Sequence, residues 1–136
     1  MGSLAVWLDT NQAFILDEKG EILELLRSGV ATREREPGQG SDQARMGHQF
    51  LDPERKKEER YRHELNHYFR EISELIEDYS PLLLFGPGPI KKIYYHYLLD
   101  DKRFRNTEIV VETADTMSEN QLGAYVRSFF ASSKKV

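Results

Sequence analysis

Two stretches of this chain bring together residue types whose spacing could support chemistry. His63-Glu64-Leu65-Asn66-His67 fits the His-Glu-x-x-His pattern, in which two imidazoles one helical turn apart hold zinc and the glutamate activates its water. At about 100° per residue, Tyr61, Leu65, Phe69 and Ile72 gather on one side of such a helix. His63 and His67 then fall nearly opposite, among Glu59, Arg70 and Glu74. The remaining histidines are His48 and His96, and neither is placed as a third ligand. Two solvated histidines are expected here, with no metal and no other cofactor.

The second stretch is polar: Pro37-Gly38-Gln39-Gly40-Ser41-Asp42-Gln43-Ala44-Arg45. Gly38 and Gly40 permit positive φ and a close backbone approach to a ligand, and the Gln39 amide can position a water or hydroxyl without carrying charge. Arg33, Arg35 and Arg45 lie around it, and Arg55, Lys56, Lys57 and Arg60 follow shortly after, so all could meet phosphates from one end of the molecule. Acidic residues are interleaved (Glu34, Glu36, Asp42, Asp52, Glu54, Glu58, Glu59), so any basic footprint must come from geometry rather than from excess charge. The whole segment 29–52 lacks hydrophobic periodicity, and a long loop of this kind is either functional or disordered.

These candidates must be held by the elements around them. At 136 residues the chain fits one domain, and its 39% hydrophobic and 31% charged residues are those of a folded soluble protein. No cysteine is present, which excludes disulfides and cysteine-ligated zinc. The net charge of −4 gives no global attraction to nucleic acid, and no apolar run is long enough for a bilayer. Met1-Gly2-Ser3 leads into a strand-like run without a basic leader, so a cytoplasmic protein is expected.

Leu4–Leu8, Ala13–Leu16 and Glu21–Leu26 read as three strands joined by the turns at Asp9-Thr10-Asn11 and Asp17–Gly20, an antiparallel meander. Asp52-Pro53 opens a helix to about Asp78, with Tyr61, Leu65, Tyr68, Phe69, Ile72, Leu75, Ile76 and Tyr79 as its apolar stripe. Glu54–Arg60 carry no stripe and are expected to project beyond the core. Leu82–Phe85 is apolar throughout, the mark of a central parallel strand buried on both faces. After Gly86-Pro87-Gly88-Pro89, a tight turn without the Lys-Ser/Thr of a phosphate loop, comes a helix with Ile90, Ile93, Tyr94, Tyr97 and Leu98 on one side. Ile109–Val111 is the last strand, and Ser118 with Gln121 caps a final helix that buries Leu122, Tyr125, Val126, Phe129 and Phe130.

The order β-β-β-α-β-α-β-α predicts an α/β fold, a mixed sheet of the ribonuclease H-like kind with helices packed on it. Nucleases of that fold hold two Mg²⁺ ions between carboxylates, and Asp9 ends the first strand. The fourth strand, however, ends in Phe85-Gly86-Pro87 without an acid, so Asp9 reads as a turn residue.

The strands before the polar loop, the loop itself, the basic helix start after Asp52 and the Leu82–Gly88 strand-turn resemble the middle domain of archaeal and eukaryotic class-I peptide release factors and of Pelota, in the form of small stand-alone bacterial relatives. In that family the loop before the first helix carries Gly-Gly-Gln, which promotes hydrolysis of peptidyl-tRNA, and the arginine-rich helix start meets ribosomal RNA and tRNA. The resemblance therefore implies a ribosome, rRNA or tRNA partner, phosphate contacts from Arg33, Arg35, Gly38, Gly40, Arg45, Arg55, Lys56, Lys57 and Arg60, and Gln39 as the residue of any ester hydrolysis. Gly38-Gln39 matches the last two motif positions, while Pro37 occupies the first and brings a fixed φ and no N–H. Binding is thus expected ahead of release chemistry; peptidyl-tRNA hydrolysis and a protein–protein adaptor are the alternatives.

Overall fold

In a computed structural model of the protein, residues 2–29 and 53–133 are described, with side chains described over 2–29 and 57–132. Three strands come first: β1 (Leu4–Leu8), β2 (Gln12–Asp17) and β3 (Ile22–Arg27). There follow α1 (Pro53–Ile76), β4 (Leu82–Gly86), α2 (Ile90–Leu99), a 3₁₀ turn (Lys102–Phe104), β5 (Ile109–Thr113) and α3 (Glu119–Ser133). The five strands form one mixed sheet in the order β3-β2-β1-β4-β5. β2 is antiparallel to both β1 and β3, whereas β4 is parallel to both β1 and β5.

Local chemistry explains the turns. Asp9 Oδ1 accepts from the backbone N–H groups of Asn11 (2.8 Å) and Gln12 (2.9 Å), and Asp17 Oδ1 accepts from those of Lys19 (2.9 Å) and Glu21 (3.0 Å). Each aspartate thus replaces the backbone acceptors that a reversing chain lacks. At the other end of the chain Ser118 and Gln121 exchange hydrogen bonds (Ser118 N to Gln121 Oε1, 2.9 Å; Gln121 N to Ser118 Oγ, 3.2 Å), the expected capping box for α3.

β1 and β4 are buried along their whole length, so both faces of the sheet need cover. On one face α1 supplies Leu65, Tyr68, Phe69, Ile72 and Ile76, and α2 supplies Ile90, Tyr94 and Leu98, against Leu4, Val6, Leu8, Leu82 and Leu84. On the other, Leu122, Val126 and Phe130 of α3 cover Ala5, Trp7, Phe14, Leu16, Leu83 and Phe85. Tyr125 stacks on Phe85 at 4.8 Å and donates to Glu112 of β5. Arg103 grips Asp101 through Nε (3.1 Å) and Nη2 (2.8 Å) and reaches Glu77 at 3.5 Å, tying the 3₁₀ turn to the segment after α1. That fork holds the Asp101 carboxyl below its usual range.

Two stripe residues are placed differently from the sequence reading. Leu75 is 40% exposed and Ile93 46% exposed, although both were expected in the core. The buried flank of α1 is the one under α2, where Phe69 meets Tyr94 (4.8 Å) and Tyr97 (5.3 Å). Leu75 lies about 20° beyond the buried Tyr68 on the other flank, at the margin of the stripe. Ile93 is likewise about 100° from Tyr94, outside the arc that α2 turns towards the sheet. The last strand also runs two residues further than expected, to Thr113.

Gly20 and Gly123 bring the β2–β3 turn against α3. Gly20 has φ +87°, and a Cβ on Gly123 would come within 2.7 Å of the Gly20 carbonyl oxygen. In an ordinary helix interior, Gly→Ala stabilises by about 1 kcal/mol. Here backbone meets backbone, so the sign reverses: Gly123→Ala is expected to lower stability by about 1–3 kcal/mol in equilibrium denaturation followed through the buried Trp7.

The core tyrosines generate a pH dependence. Burial is the main cause that raises the phenols of Tyr68 and Tyr94 far above 10.0, and burial together with the hydrogen bond to Glu112 pushes Tyr125 up to about 12. Above pH 10.0 the unfolded chain loses these protons while the folded chain keeps them. Their stabilisation is therefore complete below that value and is lost as pH rises towards the folded values. Unfolding free energy measured from about pH 8 to about pH 11 is expected to fall over the upper part of the range, and less steeply in Tyr94→Phe.

Candidate functional site

The strand directions decide which end of the molecule can hold a site. β1, β3, β4 and β5 all run the same way, and β2 alone opposes them. Their carboxyl ends therefore share one edge of the sheet, where open α/β sheets bind their ligands. β3 ends at this edge, and α1 runs towards the opposite edge, from which β4 begins.

The edge is well tied. Ser28 Oγ donates to the Thr10 carbonyl at 2.5 Å, and Ser28 N donates to the Asn11 carbonyl at 2.9 Å, so the end of β3 is fastened to the β1–β2 turn. Tyr68 of α1 donates to the Asp9 carbonyl at 3.0 Å. The Asp9 backbone and carboxylate are thus both engaged in structure. This geometry agrees with a turn residue, and among the described residues no group of His, Asp and Glu could hold a metal ion.

Tyr68 also fixes the level of α1 against the sheet. Helical side chains lean towards the N-terminus, and each residue adds about 1.5 Å of axis. Leu65 is the first fully buried residue of α1, with Tyr61 half-buried before it, whereas Lys57, Glu58, Glu59 and Arg60 are all exposed. The exposure of residues 57–60 agrees with the missing stripe, while the side chains of the preceding turn, which includes Arg55 and Lys56, lie outside the described residues. Arg33, Arg35, Gly38, Gln39, Gly40 and Arg45 also lie outside the described residues. Of the expected phosphate-binding residues, the described ones are Lys57 and Arg60, and both are exposed near the start of α1.

The other candidates separate from this edge or become structural. His63 and His67 are exposed, and His67 Nε2 lies 3.7 Å from Glu71 Oε2, one turn along α1. Gly86-Pro87-Gly88-Pro89 is a tight strand-to-helix turn, with Gly86 at φ +147° pressed against the Leu8 carbonyl. One feature of that turn escaped the sequence reading. Lys91 is only 3% exposed, and its ammonium folds back on the Gly88 carbonyl at 2.5 Å. Loss of hydration, with Lys92 beside it, lowers its pKa. Nothing in the pattern Ile90-Lys91-Lys92-Ile93 distinguishes the buried lysine from the exposed one.

Among the described residues, no helix is long and apolar enough to cross a membrane. Comparison of the chain with protein-family models and with curated proteins finds no match to either.

Proposed function

We propose that this chain is an RNA- or ribosome-associated binding module of the release-factor middle-domain type, on a ribonuclease H-like sheet. The observation that carries the reading is the start of α1. Lys57, Glu58, Glu59 and Arg60 stand exposed there, in the helix that follows the segment with Gly38-Gln39-Gly40 in sequence. An exposed helix start with interleaved cations suits a backbone-following contact, since phosphate recognition needs reach and geometry more than net charge. Lys57 and Arg60, with Arg33, Arg35, Arg45, Arg55 and Lys56, would meet phosphates, and Gly38 and Gly40 would let the backbone approach. Pro37 in place of a first glycine favours binding over ester hydrolysis, because its ring fixes φ and supplies no donor.

Filter binding to tRNA and co-sedimentation with ribosomes test this. If about four phosphates are neutralised, raising salt from about 50 to about 200 mM weakens binding roughly 50- to 150-fold. Lys57→Ala and Arg60→Ala are each expected to flatten the salt slope by about one. Association that is absent, or indifferent to salt, would sink the reading. Gln39→Ala is expected to leave tRNA affinity within about twofold, since an uncharged amide adds little to phosphate binding. In a peptidyl-tRNA hydrolase the same change would instead abolish ester cleavage.

A further inference from the structure

We draw no further inference here: the strongest candidate, the groove of about 240 Å³ between the end of α2 and the start of β5, has Lys102 and Arg105 together with Asp100 and Asp101 in its lining, and nothing in the structure shows what would occupy it.

Discussion

Burial of β1 and β4 on both faces is the constraint from which the rest of the structure follows. Leu4–Leu8 and Leu82–Phe85 have almost no contact with solvent, and each puts side chains on both sides of the sheet. A parallel pair of this kind cannot be left half covered. One face is closed by α1 and α2, which are the crossovers that parallel strands require in any case. Among the described residues, α3 is the one helix on the other face. Even the exit from β4 obeys the same packing: Gly86 runs so close to the Leu8 carbonyl, at positive φ, that a side chain has no room.

This arrangement explains which parts of the fold were legible in the sequence. The unbroken apolar run Leu82–Phe85 identified a central parallel strand, because only double burial makes alternation unnecessary. Ser118 and Gln121, Asp9 and Pro53 marked boundaries through local chemistry that needs no tertiary partner. Leu75 and Ile93 were misplaced for the opposite reason. Periodicity gives the centre of a helical stripe, but the neighbour decides how wide the buried arc becomes and on which flank, and α2 widens that of α1 towards Phe69. Lys91 was illegible too, since its burial depends on a turn that lets its ammonium reach the Gly88 carbonyl.

The candidate site divides in the same way. The absence of an apolar stripe before Tyr61 was enough to place Lys57 and Arg60 in solvent, as the helix shows. The ties that hold the edge beneath them carried no signal. Tyr68 looked like one more stripe residue, yet its hydroxyl joins α1 to the end of β1, and Ser28 fastens β3 to the neighbouring turn. Hydrogen bonds between elements far apart in sequence leave no periodic trace. The polar segment itself, with Gln39 and its flanking glycines, lies outside the described residues, so its part in the site rests on composition and resemblance.

The contact between Gly20 and Gly123 has a consequence for the order in which the chain can mature. The meander β1–β3 is made first and can pair from local turns alone. Its α3-facing side, with Trp7, Phe14 and Leu16, packs against Leu122, Val126 and Phe130, which are synthesised late. The seating of α3 against the β2–β3 turn therefore brings an early and a late segment of the chain into contact. A nascent chain stopped before α3 lacks Leu122, Val126 and Phe130 over this face, and apolar surface left exposed in this way favours contact with a chaperone or with other nascent chains.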